Sequence, residues 1–147
     1  MNRSVAQNAL SQYRQVAVHS SVDFASPHRL IQMLMEGALE KIAAARGFIE
    51  QRDIPNKSRY ISWAMSIISG LRGSLDHELE GTGELVKNLD GLYTYMNDRL
   101  LDANLNNDLA ALEEVSLLMK KVKSGWDELP EDAKQGRKIT AVSHGAA

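Results

Sequence analysis

The chain has 147 residues, of which 44% are hydrophobic and 24% charged, and its 17 basic and 19 acidic residues give a net charge of −2. That length is enough for one domain with a single core, and the near-neutral charge provides no overall positive field for nucleic acid. Because the chain has no cysteine, disulfide scaffolds, thiolate zinc sites and cysteine nucleophiles are excluded.

Four long segments carry the 3.6-residue hydrophobic periodicity of amphipathic helices. The first begins at Ser26-Pro27, where serine can cap free amides and proline fits the first turn, and continues to Arg52. The second is predicted from about Lys57 to Leu79, after a linker at residues 53–56. The other two are predicted from Glu84 to about Asn104 and, after a turn and cap at 106–108, up to Leu129-Pro130.

Short loops between long helices favour antiparallel neighbours. The sequence therefore predicts an all-α protein, an antiparallel up-down-up-down four-helix bundle over residues 26–129. Residues 1–25 are expected to form an N-terminal arm with a short helical patch, and residues 130–147 a mobile tail. The N-terminus lacks the apolar run of a secretory signal, and no stretch is long and apolar enough to span a membrane. A cytoplasmic protein without membrane insertion is expected.

The motifs of common enzymes are missing from the sequence. A di-metal bundle needs Glu-x-x-His pairs, and none occurs. The chain also has no phosphate-binding glycine loop and no Gly-x-Ser-x-Gly elbow. We therefore expect no cofactor, no metal and no catalytic residue.

One histidine leaves an alternative open. A phosphotransfer bundle exposes a histidine on a helix, and His77 is the candidate. Such domains usually have a lysine three residues later, whereas this chain has Glu80, which would repel a phosphoryl group. A surface histidine in a polar last turn is the simpler interpretation. His28, in a first helical turn, is expected to be exposed or packed.

Several large apolar residues lie off the main stripe of their helix. Scattered exposure and wide stripes can account for some of them, but neighbouring ones would form a patch typical of a partner site. The pattern predicts a surface for an amphipathic helix or an extended peptide. Near the N-terminus, Leu10, Tyr13 and Val16 could form a turn that lies over this surface. The off-stripe residues are Met33, Leu39, Trp63, Ile67, Tyr95, Leu101 and Leu117.

Six blocks of the sequence form a pattern of their own, and they are residues 26–39, 67–76, 88–96, 99–104, 113–115 and 125–126. These blocks, and the order in which they occur, resemble the FliS family of flagellin export chaperones. The resemblance implies a cytoplasmic four-helix chaperone, not an enzyme, that holds the disordered C-terminal segment of flagellin. It also implies delivery of the subunit to a component of the flagellar type III export gate, with other flagellar proteins as further candidate partners.

The residues expected to contact this cargo are Leu10, Tyr13, Met33, Leu39, Trp63, Ile67, Tyr95 and Leu101. Two positions depart from the family pattern. Leu10 stands where an N-terminal aromatic is expected, with Tyr13 three residues later, and Met35 replaces an aromatic at an expected contact position. The near-neutral net charge does not indicate the sign of the cargo.

Overall fold

The computed structural model describes residues 26–76 and 81–129. Within these ranges the chain forms four helices and no strand. They are α1 (Pro27–Glu50), α2 (Ile54–Gly73), α3 (Gly83–Asn106) and α4 (Leu109–Asp127). None of the described helices is both long enough and apolar enough to cross a membrane.

The connection between α1 and α2 is shorter than the sequence predicts. Arg52 adopts a left-handed conformation with φ of 59°. The Asp53 N–H donates to the Phe48 carbonyl at 2.8 Å and the Arg52 N–H to the Ile49 carbonyl at 3.0 Å. This is the Schellman pattern that ends a helix. Asp53 then accepts the Asn56 N–H as the cap of α2, so the predicted linker over 53–56 is wrong and its last residues form the first turn of α2.

The end of α2 also differs from the prediction. The helix stops at Gly73, where the Ser74 hydroxyl donates to the Leu71 carbonyl at 2.6 Å. Leu75 still packs against the core although it lies beyond the helix, and Leu79 lies outside the described residues. A serine hydroxyl that bonds back to the preceding turn competes with continued helix formation. The apolar periodicity therefore extends further than the helix.

The turn between α3 and α4 confirms the cap predicted at 106–108. Asn107 takes the left-handed conformation with φ of 52°, which asparagine tolerates better than most residues. Asp108 accepts the Ala111 N–H at 3.2 Å as the cap of α4. The turn is therefore tight enough to reverse the chain directly.

The four helices form a ring in which each packs against two neighbours, α1 with α2 and α4, and α3 with α2 and α4. Gln32 bonds Asp127 and Arg46 bonds Glu113, so α1 and α4 run antiparallel. The predicted all-α four-helix bundle is confirmed. Its largest fully buried side chains are Leu34, Met35, Ile61, Ile67, Ile68, Leu71, Met96, Leu100, Leu112, Val115 and Met119.

One charged side chain lies inside the bundle, at the end where α3 finishes. Lys57 is 4% exposed, and its ammonium donates to the Asn104 carbonyl at 2.7 Å. That carbonyl belongs to the last turn of α3, where orphan carbonyls and the helix dipole favour a positive charge. Lys57 therefore ties the start of α2 to the end of α3.

We predict that Lys57→Ala lowers the free energy of unfolding by about 1–3 kcal/mol, since it removes a charge-assisted hydrogen bond and leaves the carbonyl of half-buried Asn104 without this donor. Arg59→Ala, two residues away and exposed, should change it by less than about 0.5 kcal/mol. Urea unfolding followed by circular dichroism measures both. Equal stabilities for the two variants would show that the Lys57 contact contributes nothing.

Candidate partner-binding surface

Five of the residues predicted to bind a partner are wholly or partly accessible. Trp63 is 41% exposed, Tyr95 43% and Leu101 46%. Met33 and Leu39 are half-buried, and Leu39 packs partly against the core. These off-stripe side chains therefore lie at the margins of the core, as predicted. It remains a prediction that they contact a partner.

Ile67 and Met35 are not surface residues. Ile67 is 0% exposed and belongs to the core, so the expectation that it points away from the stripe is wrong. The interface between α1 and α2 is the most extensive of the four. Ile67 follows Trp63 by four residues, and Trp63 lies against Lys41 of α1, so Ile67 is on the side of α2 that faces α1. Met35 is likewise buried in the core, which removes it as a contact position. Leu10 and Tyr13 lie outside the described residues.

At the seam between α1 and α2, aromatic rings follow one another along the surface. The Phe48 and Tyr60 ring centroids are 5.1 Å apart, and those of Tyr60 and Trp63 5.8 Å. The Lys41 ammonium lies 4.0 Å from the centroid of a Trp63 ring, within the range of a cation–π contact. We call Phe48, Tyr60 and Trp63 the aromatic seam.

At the seam between α2 and α3, Leu101 lies between two asparagines that bind α2. The Asn97 amide donates to the Ser69 hydroxyl at 3.1 Å, and the Ser58 hydroxyl donates to the Asn104 amide oxygen at 3.1 Å. Leu101 is four residues after the first asparagine and three before the second, so it occupies the same side of α3. Its exposed side chain therefore forms the outer edge of this seam.

Further exposed apolar residues, which the sequence pattern did not predict as contacts, lie near this edge. Leu105, one turn after Leu101, is 72% exposed. Ile54 is also exposed, and it precedes Ser58 by four residues on α2. The i, i+4 spacing of Leu101 and Leu105 was the available signal. Leu105 nevertheless falls just beyond the helix predicted to end at about Asn104, whereas α3 continues to Asn106.

At the seam between α3 and α4, Tyr95 belongs to a polar network. Its hydroxyl donates to Glu114, and Arg99 Nε donates to the same carboxylate at 2.7 Å. Arg99 also donates to Asp102 at 3.0 Å. The hydrogen bonds from Tyr95 and Arg99 lower the pKa of Glu114, and the bond to Glu114 raises the pKa of Tyr95. The network fixes the ring of Tyr95 at the surface.

The seam between α1 and α4 is closed by polar contacts. The Gln32 amide donates to Asp127 at 2.6 Å, and Lys123 donates to the same carboxylate at 2.7 Å. Leu39 lines a shallow cleft there with Lys123 and Asp127. At one end of the seam the His28 ring, which is buried, stacks on Trp126 with centroids 5.0 Å apart. Of the two alternatives expected for His28, exposed or packed, the structure shows the packed one.

The predicted surface is thus divided among the four seams of the bundle. Trp63 lies at the α1/α2 seam and Leu101 at α2/α3, whereas Tyr95 lies at α3/α4 and Leu39 at α1/α4. Within residues 26–76 and 81–129 no group of three potential metal ligands comes together, and His77 lies outside those ranges. The arrangement presents apolar and aromatic side chains for contact with a partner.

Comparison with known proteins decides the family. The family model for the flagellar protein FliS matches residues 7–133. The chain belongs to the FliS family. This confirms the resemblance noted in the sequence, and it does not favour a phosphotransfer role for His77.

The relatives of this FliS-family chain are flagellar secretion chaperones by name. FliSB of Pseudomonas aeruginosa is 52% identical over 122 residues, which are 83% of this chain and 95% of that protein. FliS of Salmonella typhimurium is 43% identical over 127 residues, 86% and 93% of the two chains. FliS of Vibrio cholerae is 36% identical over 126 residues, 86% and 91%. A chaperone role is non-enzymatic, in agreement with the expectation from the sequence.

Because Ile67 is buried and Trp63 is exposed, we expect losses of stability of different size for two variants on the same helix. Ile67→Ala should lower the free energy of unfolding by about 2–4 kcal/mol, since it leaves a cavity in the core. Trp63→Ala should lower it by about 1 kcal/mol or less, because it removes a surface contact. Thermal and urea unfolding measure both. A larger loss for Trp63→Ala would place the indole in the core and remove it from the candidate surface.

Proposed function

We propose that this chain is a cytosolic export chaperone that binds the disordered C-terminal segment of flagellin. Bound to the chaperone, the segment cannot pair with other flagellin subunits, so premature polymerisation is prevented. The complex is then delivered to a component of the flagellar type III export apparatus. Membership of the FliS family and the names of the relatives support the general role.

The observation that carries the proposal is the distribution of the exposed apolar side chains. Trp63, Leu101 and Tyr95 are each more than 40% exposed and lie at three different seams. The seams run between neighbouring helices of the bundle, the longest of which have 24 residues and are therefore about 36 Å long. A straight cargo helix that lies along one seam would not reach the side chains at the other two. A partner that contacts all three must change direction and wrap around the bundle. A disordered segment does this more readily than a folded domain.

The physical consequences suit a chaperone that must release its cargo. The segment pays an ordering cost when it folds on the surface, so its affinity stays below what the buried area suggests. The chaperone itself loses little conformational entropy, since the hydrogen bonds of Asn97 and Glu114 already hold the edges of their seams. Binding therefore covers the apolar face of the cargo without making the complex permanent.

We predict that the full chain binds a peptide made of the last forty or so residues of its own flagellin in a ratio near one to one. The heat-capacity change should be negative because apolar surface is buried. Isothermal titration at several temperatures measures both quantities, with a scrambled peptide of equal composition as the control. Equal heats from the two peptides, or none from either, would contradict the proposal.

The wrapped arrangement adds a second expectation for the same titration. Trp63 and Leu101 lie at different seams. Trp63→Ala and Leu101→Ala should each weaken binding of the flagellin peptide by about tenfold, or 1.4 kcal/mol. A partner that lies along a single seam would respond to one variant and ignore the other. That result would keep the chaperone role and reject the wrapped cargo.

A further inference from the structure

The aromatic seam is accompanied by two cations. The Lys41 ammonium lies over the Trp63 indole at 4.0 Å. Arg59 is exposed and precedes Trp63 by four residues on α2, so the two side chains are neighbours on one face of that helix. An exposed indole therefore has a positive charge from α1 over its ring and a second positive charge one turn away along α2.

Neither cation has an ion-pair partner among the described residues, whereas each of the other three seams has an arginine that pairs across it. Arg46 pairs with Glu113 across α1 and α4, Arg72 with Asp90 across α2 and α3, and Arg99 with Glu114 across α3 and α4. In the part of the chain that the structure describes, no ion pair joins α1 to α2. Lys41 and Arg59 are thus available to pair with a charged group of a partner that covers the aromatic seam.

The nearest acid in sequence does not neutralise this site. Glu40 is exposed and adjacent to Lys41, but consecutive residues of a helix point about 100° apart. It takes part in no ion pair within the described residues. The two charged side chains placed next to Trp63, Lys41 and Arg59, are therefore both positive, although the whole chain carries −2.

We propose that Lys41 and Arg59 make the aromatic seam selective for an acidic amphipathic stretch of the cargo. This stretch places an apolar side chain against Trp63 and a carboxylate, one helical turn away, against the two cations. The inference rests on the proposed function and names the chemistry by which one part of the cargo is recognised.

Desolvation is the physical basis of the selectivity. A partner that covers the indole also removes water from the ammonium that lies on it, and burying a charge without a partner is costly. A carboxylate offsets that cost, a neutral side chain leaves it, and a basic one adds repulsion. Lys41 therefore penalises cargo of the wrong charge more than it strengthens binding of the right one.

The test is titration of the full chain with the flagellin C-terminal peptide at low and at physiological ionic strength. The double variant Lys41→Glu/Arg59→Glu should weaken binding by about tenfold or more and reverse the salt dependence, because it turns an attraction that salt weakens into a repulsion that salt relieves. Lys87→Glu/Lys121→Glu is the matched control, since both lysines are exposed and the change in net charge is the same. This control should alter the affinity by about twofold at most.

A double-mutant cycle then links the cations to the cargo's acids. Replacing the Asp and Glu residues of the peptide by Asn and Gln should weaken binding to the wild-type chain, and the Lys41/Arg59 variant should cause little further loss. Additive losses, or equal losses in the matched control, overturn the proposal and leave the chaperone role intact. Failure of the wild-type chain to bind the unmodified peptide overturns both. Circular dichroism confirms that each variant is folded.

Discussion

Burial of one apolar stripe from each of four helices is the constraint on which the rest of the structure depends. Within the described residues each helix packs against two neighbours, and its backbone stays apart from that of the helix diagonally opposite. The centre of the bundle is therefore filled by side chains such as Leu34, Ile68, Met96 and Met119. Apolar residues beyond the width of a stripe have no place inside. Trp63, Tyr95 and Leu101 stay at the edges for that reason.

The seams are held in different ways, and the difference bears on binding. Charged or amide hydrogen bonds close three of them, with Gln32–Asp127, Asn97–Ser69 and Arg99–Glu114 as examples. The α1/α2 seam is held instead by close packing and by the aromatic rings of Phe48, Tyr60 and Trp63. Polar contacts are directional and hold neighbouring apolar edges in place, so a partner meets a surface that is already formed. The conformational cost of binding then falls mainly on the partner.

Much of this architecture could be predicted from periodicity and capping residues, including the bundle, the Asp108 cap and the exposure of Trp63. The errors have physical causes. The position of a residue in the 3.6-residue repeat gives its direction around one helix, but not how closely the adjacent helix approaches. Ile67 is buried because α1 packs closely against α2. Nor does the repeat say which helix lies on each side. The division of the candidate residues among four seams therefore required the tertiary structure.

The central claim is that one cargo segment covers several seams at once. Hydroxyl-radical footprinting of the full chain, with and without the flagellin C-terminal peptide, tests it directly because oxidation reports the exposure of individual side chains. Oxidation of Trp63, Leu101 and Tyr95 should fall together on binding, while the core residue Met96 stays unchanged. Protection of one of the three alone, or of none, would contradict a cargo that wraps around the bundle.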